Sequence, residues 1–118
     1  MTTQKSVNPL GPGYEGVPGE EKRFRDVFRD TLRAEMIRDE DVFLMGEDIS
    51  GGFDKETKEP LDAWGGPFAA TKGLVQEFGP ERIRDAPISE AGFVGAAVGS
   101  ALTGLRPVVD LMYFDFVT

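Results

Sequence analysis

An α/β fold with a mainly parallel sheet, incomplete at its C-terminal end, is what this sequence predicts. Helix-like and strand-like segments alternate three times along 118 residues, the order expected of parallel α/β architecture. The strand-like segments are short and apolar, as suits strands covered on both faces. Three such strands leave both sheet edges open, so the chain reads as the opening portion of a larger domain.

Residues 1–19 carry Pro9, Gly11, Pro12, Gly13, Gly16, Pro18 and Gly19 with little apolar periodicity, and read as a mobile tail. From residue 20 the character changes, and residues 20–118 read as part of a single domain. Phe24, Val27, Phe28, Thr31, Leu32 and Met36 recur at spacings of three and four, the stripe of an amphipathic helix ending near Arg38. Asp39-Glu40-Asp41 turns the chain into Val42-Phe43-Leu44-Met45, a strand stopped by Gly46. Glu47-Asp48 stands at its carboxyl end, and residues 49–66 form a loop. Residues 68–78 read as a second helix, closed by Gly79-Pro80. Arg82-Ile83-Arg84-Asp85 is a second short strand. Ser89 is a favourable N-cap for a third helix over about 90–103, with Glu90 in its first turn and Gly104 as its stop. Arg106-Pro107 reads as a turn, and residues 108–113 as a third strand.

Composition narrows the function. Acids outnumber bases by 21 to 13, for a net charge of −8. That argues against nucleic acid or an anionic membrane as partner, and it suits solubility. With no cysteine and no histidine, the chain has no disulfide framework, no thiol chemistry, no Ser-His-Asp arrangement and no histidine-based metal site. The N-terminus has neither a basic segment followed by an apolar core nor an Arg-rich character, so a cytoplasmic location is expected. The uncharged run from Ala91 to Leu105 falls short of the ~20 residues a membrane span needs.

That run holds the most informative pattern. Glycine inside a helix costs about 1 kcal/mol relative to alanine, so Gly92, Gly95 and Gly99 together cost roughly 2–3 kcal/mol. With Ala96 and Thr103 they form one stripe, along which a neighbouring element could approach backbone to backbone and offset the cost. Close packing without any ligand explains the stripe as well. Glu90 has two readings. It is a first-turn acid favoured by the helix dipole by about 0.3–1 kcal/mol, or a carboxylate facing a ligand where open α/β sheets bind them. Glu47-Asp48 divides in the same way, between a solvated turn and the rim of a crevice. Asp110, inside an apolar strand, needs a partner or the surface. Tyr113, Phe114 and Phe116 suit a core, or the face of a planar ligand.

Glu90-x4-Gly95-x3-Gly99 resembles the glutamate-plus-glycine motif of the pyrimidine-binding domain in thiamin-diphosphate enzymes. The wider text is more specific: Gly46-Glu47-Asp48, Thr71-Lys72-Gly73-Leu74, Phe78-Gly79, Pro87-Ile88-Ser89-Glu90 and Gly104-Leu105-Arg106-Pro107-Val108. From about Phe24 onward it is similar to the β subunit of the 2-oxo acid dehydrogenase first component, of the pyruvate, branched-chain and acetoin type. The transketolase branch normally has a histidine close behind the glutamate, and none stands here.

The resemblance implies a partial transketolase-like pyrimidine-binding domain within an α2β2 heterotetramer. The complete enzyme would oxidatively decarboxylate a 2-oxo acid and pass the acyl unit to a lipoyl group. Its partners would be the α subunit, a second β subunit and a lipoyl-bearing acyltransferase. The cofactor would be thiamin diphosphate, with magnesium held by the α subunit, since the Gly-Asp-Gly…Asn pattern for magnesium and diphosphate is absent here. Glu90 would be the catalytic residue, hydrogen-bonding the pyrimidine nitrogen across the ring from the amino group. Phe116 would stack on the ring, Ile88 would contact it, and Glu47 would lie close behind. The helix dipole favours an ionised Glu90 and an apolar pocket a protonated one. The 118-residue chain by itself is expected to be inactive. Two alternatives remain at this level: a non-catalytic module that self-associates through the glycine-striped helix, and a transketolase-like or deoxysugar-phosphate synthase half-site.

Overall fold

The computed structural model describes residues 21–51, 56–57 and 65–117. The segment read as a tail, and most of the 49–66 loop, lie outside them.

The order of elements is α1 (Phe24–Arg38), β1 (Val42–Gly46), α2 (Leu74–Phe78), β2 (Ile83–Asp85), α3 (Glu90–Leu102), β3 (Arg106–Asp110) and a 3-10 helix over Phe114–Val117. The three strands form one parallel sheet in the order β2-β1-β3. Leu44 of the central strand pairs with Ile83 on one side and Val108 on the other. The chain therefore steps from β1 to one neighbour and returns across β1 to reach the other. Right-handed crossovers in opposite directions place α2 and α3 on opposite faces of the sheet.

One face holds the main core. Leu32 and Met36 of α1, Val42 and Leu44 of β1, Ile49, Leu74 and Val75 of α2, and Ile83 of β2 form a single buried cluster. Only the C-terminal half of the α1 stripe is seated in it: Leu32, Ala34 and Met36 are buried, whereas Phe24 is 87% exposed. Beside that uncovered half lies an apolar groove of about 830 Å³, walled by Phe24, Phe28, Phe68, Val108, Tyr113 and Phe114.

Arg82 ties the start of the fold together. Its guanidinium donates to the carbonyls of Met36 (2.9 Å), Asp39 (2.9 Å) and Val42 (2.7 Å), and it lies 5.1 Å from the centre of the Phe78 ring. One side chain thus satisfies carbonyls at the end of α1, in the turn and in β1.

Three sequence expectations need correction. The second helix is one short stretch, Leu74–Phe78, not 68–78. Residues 66–73 are turns, because Ala69 (φ 52°) and Gly73 (φ 86°) adopt left-handed backbone that a continuous helix cannot contain. The third strand is Arg106–Asp110, not 108–113. Pro107 fits inside it because β3 is bonded on one side alone: the Arg106 amide donates to Asp41 at 2.9 Å, which turns the nitrogen of Pro107 away from β1. The strand ends where the Asp110 carboxylate accepts the Met112 amide at 2.8 Å and Met112 takes φ 62°. The local turn also answers where Asp110 finds its partner.

The third correction concerns the glycine stripe. α3 packs on β3 and β1 and buries Phe93 and Ala97, one turn apart. Gly95 and Gly99 have nothing within 4 Å of where a Cβ would stand, so no element of the described chain approaches that face. Gly92 differs, because a Cβ there would lie 2.7 Å from the Ser89 hydroxyl. Ser89 is the N-cap residue by position, but its side chain makes no capping hydrogen bond. Gly104 ends the helix region with φ 103°, as expected.

Asp30 on α1 supplies an acid-side prediction. Burial alone would raise its carboxyl, but hydrogen bonds and charge from Lys22 and Arg29 outweigh this and hold it below the ordinary value of 3.8. The Lys22 ammonium stands 3.1 Å away and the Arg29 guanidinium 3.2 Å away. A carboxyl with a lowered folded-state value stabilises above its unfolded value, and that contribution is lost as pH falls through the folded value. Asp30→Asn is therefore expected to lower stability by up to ~1 kcal/mol at neutral pH. In urea melts the gap between variant and wild type should shrink as pH falls below 3.8 and close once pH is under the lowered folded-state value.

Candidate functional site

The carboxyl ends of the three strands meet along one edge of the sheet, and the strand order reverses at β1, the place where open α/β sheets hold ligands in a crevice. Three exit segments form its rim: residues 46–51 after β1, 86–90 after β2 and 111–113 after β3.

The first exit is held by long-range hydrogen bonds. The Ala86 amide donates to the Gly46 carbonyl at 2.8 Å, joining the β1 and β2 exits. The Asp85 carboxylate accepts the Ser50 amide at 2.9 Å and also accepts the Ser50 hydroxyl. The Thr71 hydroxyl donates to the Ile49 carbonyl at 2.9 Å. Within this turn Asp48 adopts φ 55°, a left-handed geometry that costs an L-residue energy and persists only where surrounding contacts demand it.

Gly46 lets the exits of β1 and β3 close on each other. A Cβ on Gly46 would stand 2.7 Å from the Asp110 carbonyl oxygen and 3.0 Å from the Asp110 Cβ. The carbonyl oxygen is backbone and the Asp110 Cβ is fixed directly to backbone, so neither can swing aside. Gly46→Ala is expected to destabilise by about 1–3 kcal/mol, the range for overpacking. It should also raise hydrogen exchange along the β1–β3 ladder; unchanged protection there would contradict this account.

The second exit delivers Pro87, Ile88 and Ser89 to the head of α3. Glu90 is the first helical residue and is half-buried. Its position adds the favourable helix-terminal field to whatever the crevice holds. Ile88 is 79% exposed, a large apolar side chain presented to whatever covers this edge. Glu47 is half-buried on the β1 exit. Among the described residues no hydrogen bond or ion pair engages the carboxylate of Glu47 or Glu90.

The third exit carries an aromatic row. Phe68 and Tyr113 meet edge to face at 5.2 Å, and Tyr113 and Phe116 do so at 5.7 Å. Phe116 sits on the 3-10 helix, 42% exposed. The structure thus sets Glu47, Ile88 and Glu90 on adjoining exits of one edge. Phe116 belongs to an aromatic row with Tyr113 and Phe68, and no hydrogen bond, ion pair or ring contact joins it to the other three. None of the four lines the apolar groove beside α1. Sequence reasoning missed Ser50, Thr71 and Asp85. No periodicity marks them, and Ser50 and Asp85 are 35 positions apart.

The chain matches the transketolase pyrimidine-binding domain over residues 20–118. It is 49% identical over 92 residues to the Acetoin:2,6-dichlorophenolindophenol oxidoreductase subunit beta of Bacillus subtilis (strain 168), covering 78% of this chain and 27% of that protein. It is 44% identical over 92 residues to the Pyruvate dehydrogenase E1 component subunit beta of Rickettsia bellii, covering 78% of this chain and 25% of that protein. The mitochondrial Pyruvate dehydrogenase E1 component subunit beta of Pisum sativum is 44% identical over the same length, covering 78% of this chain and 22% of that protein. The chain thus spans about a quarter of the length of the relatives it matches.

Proposed function

This chain belongs to the transketolase pyrimidine-binding domain family, and on that premise we propose that it is the N-terminal part of the β subunit of a thiamin-diphosphate-dependent 2-oxo acid dehydrogenase. The observation that carries the reading is the placement of Glu90. It is a half-buried carboxylate at the head of α3, with no partner among the described residues, on the edge where the strand exits converge.

The residues present fit the pyrimidine end of thiamin diphosphate. Glu90 would hold a ring nitrogen by a charge-assisted hydrogen bond, strong because it forms at a partly desolvated helix terminus. Ile88 would give the ring an apolar wall and keep water from the Glu90 carboxyl. Glu47, on the clamped β1 exit, would set the field behind Glu90. We assign Phe116 to a ring face, reached from its row with Tyr113. The cofactor when bound supplies the carbon chemistry of decarboxylation, and this chain orients its ring and sets where a proton resides. Among the described residues no group of three or more acidic side chains could hold a metal ion. We assign magnesium and the diphosphate end to the partner α subunit.

In this reading the whole protein works as an α2β2 tetramer that hands its acyl product to a lipoyl-bearing acyltransferase, in the cytoplasm. No helix of the described residues is long and apolar enough to cross a membrane. The uncovered face of α3, with Gly95 and Gly99 open and Leu102 85% exposed, also favours a contact with another chain. That contact fits assembly of the same enzyme and supports a purely associative module equally well.

Calorimetry separates the two. The complete β subunit with its α subunit is expected to bind thiamin diphosphate with magnesium, and the 118-residue chain alone to show no heat of binding. An assembled tetramer that takes up no cofactor would refute the proposal and leave the associative reading.

A further inference from the structure

We infer that Asp85 is a positioning residue: it locks the Glu47-bearing exit of β1 to the Glu90-bearing exit of β2, so that both carboxyls keep one fixed relation to a bound ring. This inference rests on the function proposed above and adds a residue to that site.

Two polar side chains are buried among the described residues, Ser50 at 3% and Thr71 at 1% exposure. Both hold the same short turn. Ser50 gives its amide and its hydroxyl to the Asp85 carboxylate, and Thr71 gives its hydroxyl to the carbonyl of Ile49. Burying a polar group costs free energy unless it is bonded, so a core that spends its buried polar groups on one turn is fixing the geometry of that turn.

The ties span the crevice rather than one element. Asp85 is the last residue of β2, and the next residue, Ala86, donates to Gly46. Two consecutive residues of the β2 exit therefore hold both ends of the 46–50 turn. Asp48, in the middle, is kept at φ 55°. Four residues after Ala86 comes Glu90. Movement of the β1 exit would thus be transmitted through Asp85 and Ala86 to the segment that aims Glu90. A misplacement of about 1 Å far from the reacting atoms can cost a hundredfold in rate, so such a lock has catalytic consequences without touching the cofactor.

Asp85→Asn turns an amide NH2 toward one of two donors, and Ser50→Ala removes one donor while keeping the amide. In the tetramer built from the complete subunit, each variant is expected to weaken thiamin diphosphate binding about tenfold and to lower kcat. Hydrogen exchange should rise at residues 46–51 and stay unchanged in α1. The double variant should be no worse than the single ones, since both cut one tie. Ala34→Gly, which weakens α1 away from the crevice, serves as the stability control and is expected to leave cofactor affinity unchanged at a comparable loss of Tm. Unaltered exchange at 46–51, additive effects in the double variant, or equal loss of affinity in Ala34→Gly would each overturn the inference. A wild-type tetramer that binds no cofactor would instead refute the function, while the exchange data still judged the lock.

Discussion

On the function proposed, replacing Glu90 by Gln in the complete subunit is expected to lower kcat by about 10²–10⁴-fold, the range for a positioned acid-base group. Gln keeps the size and one acceptor oxygen of Glu but cannot hold or release a proton. The loss should therefore fall on turnover, with the tetramer still assembling. Stability is expected to move little. Glu90 makes no hydrogen bond or ion pair among the described residues, so removing its charge forfeits only its interaction with the head of α3, about 0.3–1 kcal/mol. Steady-state kinetics, sedimentation and a thermal melt on the same preparation test all three statements. Turnover within a few-fold of wild type, in a correctly assembled tetramer, would remove Glu90 from the mechanism.

Arg82→Ala is expected to damage the fold severely, costing about 3 kcal/mol and lowering Tm by roughly 10–20 °C. The guanidinium bonds the carbonyls of Met36, Asp39 and Val42, with Nε adding a second bond to Val42 at 3.0 Å. Truncation leaves three carbonyls without this donor in a partly buried place, where water replaces it imperfectly. It also removes the stacking on Phe78. Arg82→Lys is expected to recover only part of the loss. An ammonium has no second nitrogen to match the Nε bond to Val42 and no planar face to lay on the Phe78 ring. Urea unfolding of wild type and both variants gives the comparison, and a loss below about 1 kcal/mol in Arg82→Ala would show that the clamp is redundant.

The two changes probe different kinds of information. Glu90 stood out in the sequence because a lone acid opened an uncharged, glycine-spaced run, and α3 begins at that residue. Arg82 carried no such mark. It read as an ordinary strand residue, yet its acceptors lie 40 to 46 positions earlier. The same division runs through the glycines. Gly104 ended a helix as its local context demanded. Gly46 looked like a simple strand stop, but the structure shows it admitting the backbone of Asp110 from a strand that pairs 64 positions along the chain. Gly95 and Gly99 lie on the helix their spacing predicts, but the described chain leaves their face uncovered, because Phe93 and Ala97 on the opposite side are what α3 buries.

What the residues determined unaided were the features set within a turn or two of chain. These are the amphipathic α1, the apolar β1, the start and stop of α3, the alternation that makes a parallel sheet, and the acid at the head of α3. Periodicity and backbone preference act over a few residues, so they are written where they act. The strand order, its reversal at β1, the reach of Arg82 and the lock of Ser50 by Asp85 were decided only by tertiary structure. Each depends on distant segments arriving at one place together, and no local pattern encodes that meeting.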